Sequence, residues 1–167
     1  MKITIVGGGT SGWTNALILA NDHPHHTFHV IESSKIGIIG VGESTTGYFT
    51  KLFNGRYPVS LKDFMFETNA TPKYAIRHVN WAPDVNPSYI APIDGSESSS
   101  FHHDIFFNYG VNYLNRDKFH KISRLGNLLD WNRSLMSAET EDFISTDFAL
   151  HIDGQKTSQY FKKHVLK

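Results

Sequence analysis

Three glycines near the N-terminus have the spacing of a phosphate-binding turn, Gly7-x-Gly9-x-x-Gly12, within the segment GGGTSGW. Gly7 permits a tight turn, Gly9 lets the backbone approach a pyrophosphate, and Gly12 lets a following helix pack closely on the preceding strand. The N-terminus of that helix would add unpaired N–H groups and a partial positive charge. The pattern therefore predicts the binding of a dinucleotide pyrophosphate.

The elements that must position these glycines can also be identified in the sequence. Residues 3–6 are apolar and β-branched, which predicts a buried parallel strand, and residues 16–20 (ALILA) predict a helix. Residues 27–31 predict a second strand that leads into Glu32, twenty positions after Gly12. An acidic side chain there can accept a hydrogen bond from a ribose hydroxyl, and it would repel the 2′-phosphate of NADP. A purely structural glycine turn is the alternative, and this context disfavours it.

Composition excludes several classes of function. The 167 residues carry 16 basic and 16 acidic side chains, so no net positive charge is available to hold nucleic acid. The chain has no cysteine, which excludes disulfides and thiolate chemistry. No apolar run approaches the ~20 residues that span a bilayer. We therefore expect a cytoplasmic protein without nucleic-acid or membrane partners, and we assign no metal site.

Local patterns give a coarse division of the rest of the chain. Residues 82–100 contain five Ser and three Pro, and they are predicted to be irregular. The other predicted elements are a Gly- and Ser-rich loop at 33–47, two helical pieces within 48–68 separated at 54–58, a strand at 74–81, helices near 106–114 and 125–137, a strand at 148–152 and a helix at 156–167.

Four segments together resemble the flavin-dependent tryptophan halogenases. They are GGGTSGW at 7–13, the Ile31-Glu32-Ser33 stretch followed by IGIIGVGEST at 36–45, TNATPKYAIRHVNW at 68–81, and FALHIDGQKTSQYF at 148–161. The second and third segments are more specific than the first. The resemblance implies an α/β fold with the Rossmann-like parallel sheet of glutathione-reductase-type FAD-binding proteins. Residues 1–167 would be the N-terminal part of an FAD-binding halogenase domain, with a substrate-side excursion at about 82–145.

The resemblance also implies residue roles. In the family, a strap joins the flavin to the substrate chamber, and Gly42, Glu43 and Ser44 match it. For Glu43, general-base and structural hydrogen-bonding roles are both conceivable, and we favour the structural one. With the glycine motif and Glu32 included, the predicted cofactor-binding residues are Gly7, Gly8, Gly9, Thr10, Ser11, Gly12, Glu32, Ser33, Ile36, Gly42, Glu43 and Ser44.

Lys73 matches the catalytic lysine of the family. The implied reaction converts reduced FAD, oxygen and halide into hypohalous acid, which the lysine directs to an electron-rich aromatic such as tryptophan. A separate flavin reductase would supply the reduced FAD. Burial disfavours the ammonium form of a lysine and would make its amine reactive. Viewed alone, Lys73 is more typical of a solvated surface lysine, and the matching flanking residues favour the catalytic interpretation.

The resemblance implies that a complete enzyme has later segments. The family's W-x-W-x-I-P motif has no match in the chain. We therefore expect a truncated N-terminal piece, with an incomplete sheet, that is inactive without a C-terminal part. Two alternatives stay open: a non-catalytic module that binds FAD, another nucleotide or a partner chain, and a different FAD-dependent monooxygenase.

Overall fold

A computed structural model describes residues 1–37, 39–82, 86–93, 128, 131, 133, 136 and 148–166 of the chain. The chain divides into two compact units, each built from separate segments. The first unit comprises Met1–Thr45, Leu52–Thr71 and Leu150–Lys167. The second unit comprises Thr46–Lys51 and Pro72–Ala149.

The described elements are seven strands, four α-helices and one 3₁₀ turn. In chain order they are β1 (Lys2–Val6), α1 (Thr10–Asp22), β2 (Thr27–Ile31), β3 (Gly42–Ser44), α2 (Gly47–Thr50), a 3₁₀ turn (Lys51–Phe53), α3 (Leu61–Thr68), β4 (Thr71–Lys73), β5 (Ala75–Ala82), β6 (Asn86–Pro92), β7 (Ala149–Asp153) and α4 (Gly154–Val165). Within these ranges, no helix has the length and apolar character needed to cross a membrane.

The N-terminal β1–α1–β2 segment forms the parallel unit that the sequence predicts. β1 and β2 pair in parallel from Lys2 opposite Thr27 to Val6 opposite Ile31, and α1 packs against both strands. The α/β class with a Rossmann-like parallel pair is thus confirmed. The expectation that β1 is a buried strand is wrong, because only alternate residues face α1. Val6 and Ile31, paired on the opposite face, are 80% and 56% exposed.

The C-terminal strand and helix complete the first unit. β7 pairs antiparallel with β3. α4 begins directly after β7, and the Asp153 carboxylate accepts a hydrogen bond from the Lys156 N–H at 2.9 Å. The strand and helix predicted here are confirmed, although α4 begins at Gly154 rather than at Lys156. β3 lies inside the predicted loop at 33–47. It was missed because three residues that include glycine carry no detectable alternation.

Aromatic side chains form the core of the first unit. The ring centre of Phe64 lies 4.9 Å from that of Phe53, 5.1 Å from Tyr160 and 5.7 Å from Phe161. Phe64 and Phe161 are fully buried. The side of α3 that carries Phe64 therefore faces the core, while Phe66 on the same helix is 85% exposed.

The second unit contains a β-hairpin that the sequence did not predict in full. β5 pairs antiparallel with β6, from Ala75 opposite Pro92 to Val79 opposite Ser88. The strand prediction at 74–81 is confirmed, but the irregular structure predicted for 82–100 is wrong over 86–92. Proline is tolerated at strand ends and edges, so the prolines there hid the strand. The helices predicted near 106–114 and 125–137 fall almost wholly outside the described residues.

Candidate dinucleotide-binding site

The turn between β1 and α1 is short and tightly held. Gly7 has φ +120°, a conformation that residues with a side chain rarely adopt. Its N–H donates to the Ile31 carbonyl at 2.9 Å, which ties the turn to the end of β2. The Trp13 N–H donates to the Gly9 carbonyl at 3.1 Å, so α1 is already helical from Thr10. Gly12 therefore lies inside the first turn of the helix rather than before it.

The glycines differ in the space around them. A Cβ on Gly12 would overlap the carbonyl oxygen of Gly7, which confirms that this glycine permits close packing of helix and strand. A Cβ on Gly9 would meet nothing within 4 Å, so the backbone there is open to an approaching group. The loop therefore has both features that a pyrophosphate site needs: a tight turn and an open glycine.

The N-terminus of α1 suits an anion. Its N-cap residue, Gly9, supplies no side-chain hydrogen bond, and no acidic residue lies in the first turn. Ser11 is exposed in that turn. Helix N–H groups without a side-chain cap and the partial positive charge of the helix end both favour a bound phosphate.

Glu32 lies directly beside this loop. A Cβ on Gly8 would overlap the Glu32 carboxylate, so the two residues are in close proximity. One carboxylate oxygen, Oε2, accepts a hydrogen bond from Trp13 Nε1 at 3.1 Å, and the other, Oε1, accepts one from Lys162 Nζ. The hydrogen bond from Lys162, followed by that from Trp13, holds the pKa of Glu32 below its usual range. Glu32 is therefore an ionised acceptor at neutral pH, next to the open loop.

A second carboxylate joins three separate segments of the first unit. Thr10 Oγ1 lies 3.5 Å from Glu43 Oε1 and donates to the Gly154 carbonyl at 3.3 Å. A Cβ on Gly40 or on Gly154 would crowd the same Glu43 oxygen. Glu43 thus lies where the starts of α1 and α4 meet the 40–43 loop. This environment favours the structural hydrogen-bonding role over that of a general base.

The strap residues border an open depression. Gly42 and Ser44 are exposed on β3, and with Glu43 they form one side of a cavity of about 340 Å³. Its other walls are residues 41, 69, 71 and 151–153. The strap is thus accessible from this side of the first unit.

Ser33 and Ile36 lie in the turn that follows Glu32. Ser33 Oγ accepts hydrogen bonds from the N–H groups of Lys35, at 3.2 Å, and Ile36, at 3.3 Å. The Ile36 side chain is 72% exposed. Both residues therefore lie at the surface just beyond the Glu32 carboxylate.

Lys73 belongs to the second unit, whereas the predicted cofactor-binding residues belong to the first. It is the last residue of β4, and its side chain is half-buried rather than fully buried. The next residue, Tyr74, is buried and packs edge-to-face on Phe148, with ring centres 5.7 Å apart.

Sequence reasoning missed two contributions to the site. Nothing in the local sequence around Lys162 indicates Glu32 as its partner, 130 positions away. Gly154, at the start of α4, packs against Glu43. The glycine itself is a usable signal, because glycine permits the close approach of a neighbouring group.

Comparisons with known proteins agree with this geometry. The family model for tryptophan halogenase matches residues 2–167. Tryptophan 6-halogenase ThaL of Streptomyces albogriseolus is 25% identical over 98% of this chain and 34% of its own length. The 7-chloro-L-tryptophan 6-halogenase KtzR of Kutzneria sp. (strain 744) is 42% identical over 47% of this chain and 15% of its own.

A solved structure supports the same conclusion about the fold. Tar14, a tryptophan C-6 flavin-dependent halogenase from taromycin biosynthesis, superposes with a TM-score of 0.76 at 26% identity. The match covers 99% of this chain and 34% of Tar14. The chain thus spans about a third of the length of ThaL and of Tar14.

Proposed function

Because the chain belongs to the tryptophan halogenase family, we propose that it binds FAD at the glycine loop and serves in flavin-dependent halogenation. The observation that carries the proposal is the position of the ionised Glu32 carboxylate beside Gly8. This carboxylate, the proposed ribose acceptor, lies next to an open, uncapped helix N-terminus. A glycine loop followed by an acid at the end of the second strand is typical of dinucleotide-binding βαβ units.

Different residues of the first unit would contact different parts of the FAD molecule. The turn from Gly7 to Gly12, with Thr10 and Ser11 at the helix start, would hold the pyrophosphate, and Glu32 would accept from the adenosine ribose. Ser33 and Ile36 would flank that end of the cofactor. The strap at Gly42–Ser44 would lie toward the flavin ring. When bound and reduced, FAD supplies the chemistry that turns oxygen and halide into hypohalous acid.

Lys73 is the proposed catalytic residue. Its neutral amine would hold hypohalous acid by a hydrogen bond, or would take up the halogen as a haloamine, and would direct it to an aromatic such as tryptophan. The side chain of Lys73 is half-buried, so it is partly shielded from solvent. A separate flavin reductase would deliver the reduced FAD, and we expect the reaction to take place in the cytoplasm.

We further propose that the 167-residue polypeptide alone does not complete the reaction. It spans about a third of the length of ThaL, so about two thirds of that protein has no counterpart in it. A non-catalytic nucleotide-binding module is therefore the second candidate function. The family match over 2–167 disfavours an unrelated monooxygenase.

Equilibrium titration with FAD, combined with an activity assay, tests the proposal. We expect saturable FAD binding that is weaker than that of ThaL measured alongside. We expect no halogenated product by mass spectrometry after incubation with reduced FAD, oxygen, halide and tryptophan. Absence of FAD binding would contradict the proposed cofactor. A product that disappears in Lys73→Ala would contradict inactivity and support the role of Lys73.

A further inference from the structure

The Glu32 carboxylate is held by two side chains that are far apart in the sequence. Trp13 Nε1 donates to Oε2 at 3.1 Å, and Lys162 Nζ donates to Oε1. Lys162 Nζ also lies 5.4 Å from the centre of the Trp13 ring, within the range of a cation–π contact. The indole of Trp13 is 3% exposed, so this side of the carboxylate is fixed from within the fold.

The number of hydrogen bonds on the carboxylate leaves room for a ligand. An ionised carboxylate offers about four acceptor positions, two on each oxygen. Trp13 and Lys162 each use one position, and they use different oxygens. Counting the partners among the described residues, one position on each oxygen is therefore left for ribose hydroxyls. The side chain of Glu32 is 35% exposed, which leaves it accessible to a ligand.

The position of Glu32 also poses an electrostatic problem. A negative charge beside Gly8 lies next to a loop suited to phosphates, and like charges at such distances repel. An ammonium bound to the carboxylate offsets that negative charge, and it still leaves one acceptor position on each oxygen that neither Trp13 nor Lys162 uses. Lys162 is the charged side chain that contacts Glu32 within the described part of the chain.

We propose that Lys162 is a positioning residue of the nucleotide site, which orients Glu32 toward the ribose 2′-hydroxyl and offsets its charge beside the phosphates. The proposal rests on the proposed function, because it assumes that an adenine nucleotide occupies the loop. It goes further by giving a role to a residue of the last helix, 130 positions from the acid that it holds.

The neighbouring residue provides a matched control. Lys163 lies on the same helical turn and pairs with Glu67, with both carboxylate oxygens 2.9 Å from Nζ. Exposed ion pairs of this kind contribute little to stability. Lys162→Met and Lys163→Met thus remove the same charge from adjacent positions, and only the first touches the proposed site.

Binding of ADP and of 2′-deoxy-ADP, measured by calorimetry, separates a positioning role from a structural one. We expect the wild type to bind ADP more tightly than 2′-deoxy-ADP. Lys162→Met should weaken the binding of ADP about tenfold, the size of effect expected for a hydrogen bond to a charged acceptor. The preference for ADP over 2′-deoxy-ADP should shrink toward one in Lys162→Met. It should persist in Lys163→Met and be restored in Lys162→Arg.

A measurement without ligand tests the same contact independently. The Trp13 indole N–H donates to Glu32, so its NMR signal should follow protonation of the carboxylate. In Lys162→Met the midpoint of this acid titration should move to higher pH, and in Lys163→Met it should not. Trp13→Phe assigns the signal. An unchanged midpoint in Lys162→Met would overturn the proposed contact.

The outcomes distinguish this inference from the proposed function. If the wild type does not bind ADP, nucleotide binding at the loop is wrong, and the role of Lys162 is overturned with it. If the wild type binds ADP but Lys162→Met keeps the same preference over 2′-deoxy-ADP, only the positioning role is overturned.

Discussion

At the scale of single residues, the loop depends on a contact between two backbone segments. Gly12 faces the carbonyl of Gly7, and any Cβ at position 12 would overlap that oxygen. Rotation of a side chain cannot relieve the overlap, because both partners are fixed in the main chain. The same loop is open at Gly9, so these glycines serve different purposes.

We predict that Gly12→Ala lowers the free energy of unfolding by about 1–3 kcal/mol, the usual cost of overpacking. The gain of up to ~1 kcal/mol from alanine in a helix offsets only part of this. Gly9→Ala is the control: stability should change by less than about 1 kcal/mol, and ADP binding should weaken. Urea denaturation and ADP titration measure both effects. Equal stability losses in the two variants would contradict the assignment.

The lowered pKa of Glu32 should make the free energy of unfolding depend on pH. Its pKa is lowered in the folded protein, so its contribution is complete above its ordinary value of about 4.5 and is lost as the pH falls through the folded value. The pair is partly exposed, so we expect at most ~1 kcal/mol. Unfolding free energies between pH 7 and about 3 should fall less in Glu32→Gln than in the wild type. Lys162→Met should show part of this flattening, because the hydrogen bond from Trp13 to Glu32 remains. Parallel curves for all three proteins would contradict this prediction.

The glycines of the loop and the acid beside it could be predicted from the sequence, but the lysine that contacts the acid could not. Glycine spacing and the acid after β2 are local patterns, so Gly7, Gly9, Gly12 and Glu32 could be identified from short stretches. The partner of Glu32 could not, because a lysine near a helix C-terminus is equally typical of a solvated cation. The pairing with Lys162 depends on how α4 packs on α1, which no local pattern encodes.

At the scale of elements, α3 shows how one helix serves the core with a single face. Phe64 is fully buried among Phe53, Tyr160 and Phe161, whereas Phe66 is 85% exposed. The two residues carry the same side chain on the same helix. They therefore separate the contribution of burial from that of helix propensity.

We predict that Phe64→Ala lowers the free energy of unfolding by about 3–5 kcal/mol, because it leaves a cavity in the aromatic core. Phe66→Ala should change it by no more than about 0.5 kcal/mol. Chemical denaturation followed by circular dichroism measures both. If Phe64→Ala does not fold, Phe64→Leu provides a smaller loss. Similar effects at positions 64 and 66 would contradict the placement of α3.

Secondary structure could be predicted where periodicity was long enough. Five of the predicted elements extend over five or more residues, which is long enough for an apolar pattern to indicate them: β1, α1, β2, α3 and α4. β3 has three residues, and β6 contains Pro87 and ends at Pro92, so neither has the expected pattern. Both strands are instead defined by their partners, β7 and β5.

At the scale of the molecule, the chain consists of two units assembled from discontinuous segments. The predicted FAD residues lie in the first unit and the proposed catalytic lysine in the second. Motif resemblance could indicate the family, because the segments at 36–45 and 68–81 are specific. The division into units could not be predicted, since residues 46–51 join a unit whose other members begin at position 72.

The bond between Glu32 and Lys162 has a consequence for the order of events during synthesis. The glycine loop and Glu32 leave the ribosome before the lysine that holds the acid, which follows 130 positions later. At ~5–20 residues per second, translation needs roughly 6–26 seconds to reach it. Helix α1 packs against α4, so this contact also cannot form until α4 has been synthesised. The earlier-made segment thus acquires its contacts with α4 only after α4 has been synthesised.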